Sequence, residues 1–386
     1  MAQAPTQAPT QEAAQEPTQA EVQAVGQAPT QAAAQAPTQA ARGTAAEATD
    51  QVAEQRLKVV VISPWGNFGE AGERDILERA GCEVVVCTAR GEDEVIAAAR
   101  DADGVIYTGG ISRRFVESLT RCKIIARSSI GMDVVDGADL ATEKGIVISN
   151  VPDVFVDEVA NHTMALLLAC VRWLVPVAQH VKQGGWGQRG RGRPVGPIHR
   201  ITGETLGLVG FGNIARAVAR RAAGFDLKLL AYDPYVSNDV FERYGVRPAP
   251  LAQVLQDSDF ISLHVPLLPS TRHMIGAPQL RLMKKDAILI NTCRGPVVDE
   301  AALIEALQNG HILGAGLDVT EKEPIDPDNP LLQMPNVVVT PHMASASDWA
   351  GAERRRRPAQ EVAAVLTGHR PRAVWNPAVL ERVSLK

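Results

Sequence analysis

The chain has 386 residues, with 39 Lys and Arg against 44 Asp and Glu, for a formal net charge of −5. That length allows two or three domains with sizeable cores, and the mildly acidic balance gives no basic footprint for nucleic acid. No apolar run approaches the roughly twenty residues of a membrane helix, and five cysteines without a Cys-x-x-Cys pair argue against a disulfide framework or structural zinc.

Residues 1–55 are built from Ala, Gln, Pro and Thr, with Pro-Thr-Gln recurring from Pro5 to Gln39. Such a segment buries too little apolar surface to offset its ordering entropy, so a disordered tail is expected. It lacks the basic start and apolar centre of a signal peptide, and its first basic residue is Arg42. With the cysteine usage, this suggests a soluble protein of a reducing compartment, the cytoplasm.

Order is expected from Leu57. Lys58–Ser63, Glu83–Cys87, Gly104–Thr108, Lys123–Ala126 and Ile146–Ser149 read as buried strands, with helical patterns between them. Strands alternating with helices predict a parallel sheet covered on both faces. A long apolar helical pattern runs from Val156 to about Gln183, interrupted by Pro176. Arg189-Gly-Arg-Gly-Arg193 is read as a loop covering a domain edge rather than an RNA-binding box.

A second unit starts at Thr205, with six strands suggested at Leu206–Val209, Leu227–Tyr232, Phe260–His264, Ala287–Asn291, Gly314–Val319 and Val337–Thr340. Its first turn is Gly210-Phe-Gly-Asn-Ile-Ala215. Gly210 allows the tight turn and Gly212 close approach of a pyrophosphate, while Asn213 and Ile214 open a helix whose free amides favour phosphate. Asp233 closes the next strand, where a carboxylate accepts hydrogen bonds from a ribose and repels a 2′-phosphate, predicting NAD over NADP. The chain then forms a helix near Arg354–Leu366 and ends with Val374-Trp-Asn-Pro377, too little for another domain. Arg354–Arg357 is expected to be a solvated helix face.

The overall expectation is an α/β chain of two doubly wound parallel sheets. A Rossmann dinucleotide domain (156–342) is inserted into a flavodoxin-like substrate domain (56–155 and 343–386), with the active site in the cleft between them. Ligands in such sheets lie beyond the carboxyl ends of the strands. Three strand ends deliver reactive groups there: Arg294, the acids Asp318, Glu321 and Glu323, and His342, with His264 as the rival histidine. Reduction of a 2-keto acid needs such a set. A guanidinium holds the carboxylate through parallel donors, and an imidazole protonates the carbonyl oxygen as hydride arrives.

These residues resemble the D-isomer-specific 2-hydroxyacid dehydrogenase family over nearly all of Leu57–Pro377. The likeness rests on Gly207–Ala215, Tyr232-Asp-Pro234, Leu263–Leu267, Asn291-Thr-Cys-Arg-Gly295, Val298-Asp-Glu300, Gly316–Pro324 and Thr340-Pro-His342. Within the family the chain is most similar to 3-phosphoglycerate dehydrogenase-like enzymes and the C-terminal binding proteins. The resemblance implies that Arg294 binds and polarises the substrate, that His342 is the acid/base and that Glu323 is its partner. Formate dehydrogenases carry glutamine at that last position. It further implies that Ile130 and Gly131 hold the substrate carboxylate through backbone amides, with Arg127 nearby. Thr163, Val265, Pro266, Thr271, Thr292, Cys293 and Asp318 would line the cofactor, and a homodimer would form through the dinucleotide domain. Ser129 replaces a glycine usual in the substrate loop, and Ser345 stands where C-terminal binding proteins carry an aromatic residue. Two functions follow: an NAD-dependent dehydrogenase acting on a small D-2-hydroxy acid, or an NAD(H)-sensing scaffold or corepressor like the C-terminal binding proteins.

Overall fold

β-Branched runs form the strands of two parallel sheets. In the computed structural model, residues 56–64, 68–69, 71–186 and 196–386 are described. The expected tail at 1–55 and the Arg189–Arg193 stretch lie outside the described residues.

The first sheet holds β1 (Leu57–Ile62), β2 (Cys82–Cys87), β3 (Gly104–Tyr107), β4 (Ile124–Ala126) and β5 (Val147–Ser149) in the order β2-β1-β3-β4-β5. Its connecting helices are α1 (Glu73–Arg79), α2 (Glu92–Ala99), α3 (Arg113–Ser118) and α4 (Ala138–Glu143). Val59 to Ile62 are all buried, because helices cover both faces and each face is apolar. This strand order reverses between β1 and β3, which opens a crevice at their carboxyl ends.

Two helices lead to the second sheet: α5 (Val156–Val171) and α6 (Leu174–Lys182), meeting at 63°. The break falls at Trp173 rather than at Pro176. Trp173 takes a left-handed φ of 51°, and its indole N–H donates to Pro197 O at 3.1 Å. Pro176 is the third residue of α6, in a first turn whose amides have no intrahelical partner, so its missing N–H costs nothing. No single helix among the described residues is long and apolar enough to cross a membrane.

The second sheet comprises β6 (Thr205–Val209), β7 (Lys228–Tyr232), β8 (Arg247–Pro248), β9 (Phe260–Leu263), β10 (Ile288–Asn291), β11 (Gly314–Leu317) and β12 (Val337–Val339). The order is β12-β11-β10-β9-β6-β7-β8, all parallel. There are thus seven strands rather than six. The additional one, β8, is a two-residue edge strand containing proline, which gives no hydrophobic pattern to read. Helices α7 (Asn213–Ala223), α8 (Asn238–Arg243), α9 (Leu251–Asp257), α10 (Ala277–Leu280) and α11 (Glu300–Gln308) complete this unit. Two apolar clusters cover its faces, α5 and α7 on one and α9 and α11 on the other.

The last helix, α12 (Asp348–Leu366), returns to the first sheet. There Ala359, Val362, Val365 and Leu366 pack with Val59, Ile106 and Ile124. Its arginine run is not a solvated face. Arg355 lies 3.8 Å from buried Glu73, Arg356 pairs with Glu353 at 2.5 Å, and Arg357 reaches Asp153 at 3.1 Å. The Arg355 and Arg357 contacts tie α12 to the start of α1 and to the segment between β5 and α5.

Candidate active site

The order of the second sheet reverses between β6 and β9, and the glycine turn sits there. Gly210 has φ +89°, and a Cβ on it would lie 2.7 Å from His264 O at the end of β9. Both the left-handed backbone and the close approach therefore require glycine. Gly212 is extended, and a Cβ there would meet nothing within 4 Å. The space belongs to whatever lies over the turn. No side chain caps α7, so the first-turn amides of Asn213 and Ile214 are left for an anion. Asp233 is pinned at the end of β7, its carboxylate accepting from Phe211 N at 2.8 Å and Tyr235 N at 2.9 Å. Each oxygen keeps a lone pair for a ribose hydroxyl. These residues fit a dinucleotide.

The other residues expected near the cofactor line the adjacent strand ends. Thr163, fully buried on α5, donates to Val159 O at 2.8 Å and so accepts from Thr292 Oγ1 at 2.9 Å. Thr271 shapes the loop after β9, donating to Pro266 O at 2.6 Å and accepting from Leu268 N at 2.8 Å. Val265 packs on the core of this domain, whereas Pro266 is exposed. Cys293 N and Sγ both donate to Asn291 Oδ1, and burial pushes its thiol up to about 11. That thiol stays protonated and unreactive near neutrality.

His264 is removed as a rival acid/base. Its Nε2 lies 2.9 Å from Ser262 Oγ, and burial lowers its pKa to about 3. It is therefore neutral where a protonated acid is needed. The unfolded chain takes up this proton below its ordinary pKa of about 6.5 and the folded chain only near 3. Stability should thus fall as pH drops through that window, by at most about 1.4 kcal/mol per pH unit for this group. Urea unfolding between pH 7 and 4 should show a shallower loss in His264→Gln than in the wild type; equal slopes would contradict the assignment.

The three strands whose ends carry reactive groups, β10, β11 and β12, lie side by side in the sheet. After β10, Asn291 staples the turn, its Nδ2 donating to Arg294 O at 2.9 Å. Arg294 then crosses to the first domain, where Nε lies 3.1 Å and Nη2 3.0 Å from Asp133 Oδ1, while Nη1 donates to Cys293 O at 2.7 Å. After β12, His342 adopts a left-handed φ of 50°, with its N–H donating to Asp318 O at 2.8 Å. Its Nδ1 lies 2.7 Å from Glu323 Oε2. A carboxylate only accepts, so Nδ1 carries the proton and Nε2 is left for a reacting oxygen. Glu323 is held in turn by Thr320 N at 3.3 Å through Oε1.

Asp318 sits behind this dyad, 1% exposed. It accepts from Met343 N at 2.9 Å, Ala344 N at 2.8 Å and Thr340 Oγ1 at 2.6 Å, which fixes the loop carrying His342. The Thr340 hydroxyl accepts in turn from His162 Nε2 at 2.9 Å on α5. Glu321 points elsewhere, to His273 at 2.6 Å.

The loop expected to hold the substrate follows β4 in the first domain. Arg127 is buried; its guanidinium donates to Gly109 O and, at 3.0 Å, to Ser129 Oγ, and burial lowers its pKa. Ser129 also donates to Gly131 O at 3.2 Å, so the serine that replaces glycine knits the loop to Arg127. Asn150 Nδ2 holds Ile130 O at 3.1 Å. A Cβ on Gly131 would overlap Arg294 Nη2, which places this loop against the guanidinium. Asp133, His162, Thr340 and Asn291 were not singled out from the sequence. Asn291 and Thr340 lie in the motifs named above, and Asp133 stands two residues beyond the expected carboxylate-binding loop.

Comparison with known proteins agrees with this geometry. Residues 164–344 match the NAD-binding domain of the D-isomer-specific 2-hydroxyacid dehydrogenases. A glyoxylate reductase of Korarchaeum cryptofilum is 41% identical over 290 residues, covering 74% of this chain and 86% of that protein. A D-3-phosphoglycerate dehydrogenase of Methanocaldococcus jannaschii is 39% identical over 304 residues, 78% of this chain but 56% of the longer relative. Among solved structures, an NADPH-dependent glyoxylate/hydroxypyruvate reductase from Sinorhizobium meliloti, with NADP and malonate, superposes with a TM-score of 0.72 at 33% identity. It covers 83% of this chain and 97% of its own.

Proposed function

The chain belongs to the D-isomer-specific 2-hydroxyacid dehydrogenase family and is an NAD-dependent oxidoreductase of the CH–OH group; from that premise we propose that it interconverts a small D-2-hydroxy acid and its 2-keto acid, with hydroxypyruvate or glyoxylate reduced. The observation that carries this is the placement of Arg294 and of the paired Glu323 and His342 at the ends of neighbouring strands, in a sheet whose glycine turn is fitted to a dinucleotide. Bound NAD(H) supplies or accepts the hydride. Asn213 and Ile214 offer amides to its pyrophosphate, and Thr163, Val265, Pro266, Thr271, Thr292 and Cys293 shape the walls around it. Asp318 fixes the His342 loop beside them.

The substrate carboxylate is held by the Ile130 and Gly131 amides and by Arg294, with buried Arg127 adding positive charge behind the loop. His342 Nε2–H protonates the carbonyl oxygen in reduction and takes the proton back in oxidation. The Glu323 carboxylate stabilises the imidazolium and keeps the ring oriented. Chiral analysis of the product from hydroxypyruvate and NADH tests this: D-glycerate is expected, and L-glycerate would overturn the stereochemical assignment.

Asp233 argues for NAD in this chain although the Sinorhizobium relative uses NADPH. A 2′-phosphate beside that carboxylate faces like-charge repulsion of several kcal/mol. Initial rates should favour NADH over NADPH by about a hundredfold or more in kcat/KM, and Asp233→Ser should narrow the gap. Equal rates in the wild type would contradict this.

We also propose a homodimer joined through the cofactor domain. Helix α6 has no buried residue, and Leu174, Trp186 and Ile198 are 59%, 82% and 47% exposed. Apolar surface of this kind marks an interaction site. Light scattering should give about twice 41.3 kDa; the monomer mass would contradict it.

A further inference from the structure

Building on the assignment of Arg294 as the substrate-binding residue, we propose that Asp133 is a positioning residue. It holds the Arg294 guanidinium along one edge so that the opposite edge faces the substrate carboxylate. Guanidinium has five N–H donors in a fixed plane. Nε and Nη2 form the side edge, and both lie against one oxygen, Asp133 Oδ1, at 3.1 and 3.0 Å. Nη1 spends one hydrogen on Cys293 O at 2.7 Å, behind the side chain. One hydrogen each on Nη1 and Nη2 remains, and together they form the outer fork that matches a carboxylate.

Nη2 lies against Gly131, so the outer fork opens beside the backbone amides expected to hold the same carboxylate. Arg294 alone could not keep this pose, because ordering a long, flexible arginine side chain costs rotamer entropy. Among the described residues, its own domain gives it only the Cys293 carbonyl. The second constraint crosses the cleft, from Asp133, whose side chain is 23% exposed and which is 161 residues away. Asp133 also faces Arg127, whose buried guanidinium repels Arg294, so one carboxylate offsets two neighbouring cations.

Two substitutions separate orientation from charge. Asp133→Ala removes the acceptor, and a displacement of about 1 Å in such a group costs about a hundredfold in rate. Asp133→Asn keeps an oxygen at the same place and removes only the charge. Steady-state kinetics with hydroxypyruvate should show Asp133→Ala losing at least about thirtyfold in kcat, and Asp133→Asn recovering at least about tenfold of that. The amide variant should also lower KM for the anionic substrate, since a repelling charge is gone. NADH affinity, read by fluorescence, should be unchanged in both. A smaller loss in Asp133→Ala, or an Asp133→Asn no better than Asp133→Ala, overturns the proposal. Oxalate affinity of the NADH-loaded protein gives a reading independent of turnover. If the wild type reduces no 2-keto acid, the proposed activity fails; the positioning role then stands or falls on whether Asp133→Ala weakens oxalate and Asp133→Asn does not.

Discussion

Replacing His342 with asparagine is expected to lower kcat for 2-keto acid reduction by about a hundred- to ten-thousandfold, the range that general acid catalysis supplies. Asparagine keeps a polar side chain of similar reach but cannot deliver a proton. The loss should fall on kcat, because the proposed mechanism holds the substrate by Arg294 and the Ile130–Gly131 loop rather than by the imidazole. Glu323→Gln should cost less. The amide oxygen can still accept from His342 Nδ1, now 2.7 Å from Glu323 Oε2, but no longer stabilises the imidazolium electrostatically. Steady-state kinetics at saturating NADH separate the two. An Asn variant within tenfold of the wild type would remove His342 from the chemistry.

Arg294→Lys is the second large effect. Lysine keeps the charge but has no planar fork, and cannot contact Asp133 along one edge while offering two parallel donors on another. Loss of one hydrogen bond to a charged carboxylate costs about 1.5–3 kcal/mol, or about ten- to a hundredfold. The expected outcome is a drop of that size in kcat/KM, with NADH affinity unchanged by fluorescence titration. A lysine variant with near-normal kcat/KM would mean that bidentate recognition is not used. Arg294→Lys and Asp133→Ala should also be non-additive, because the aspartate acts only through the arginine.

Why the nucleotide site could be read from the sequence is a matter of locality. The needs of Gly210, Gly212 and Asp233 arise within one strand-turn-helix-strand unit, so their spacing carries the information. The five strands of the first sheet are short apolar runs bounded by turn residues, and most of the second sheet is legible in the same way. Edge strand β8 pairs only at Arg247 and Pro248, and has no pattern of its own. The bend between α5 and α6 was misplaced because proline in a first turn is harmless, whereas the left-handed Trp173 depends on the distant Pro197 carbonyl. Arginines on α12 looked solvated until their partners were known; Asp153 is 204 residues from Arg357. The proposed catalytic residues are legible as strand-end groups, but the groups that hold them are not. Asp133 and the His162–Thr340–Asp318 chain act across domains or between strands far apart in sequence, and side-chain pairing at that range leaves no periodicity. Even the choice between His264 and His342 needed burial, which lowers the pKa of one to about 3 and leaves the other beside Glu323.

The most direct test is NADH oxidation followed at 340 nm with glyoxylate, hydroxypyruvate, pyruvate and phosphohydroxypyruvate supplied in turn. Turnover with glyoxylate or hydroxypyruvate, abolished in His342→Asn, is the predicted result. Absence of turnover with all four, in a protein that binds NADH, would contradict the proposed activity.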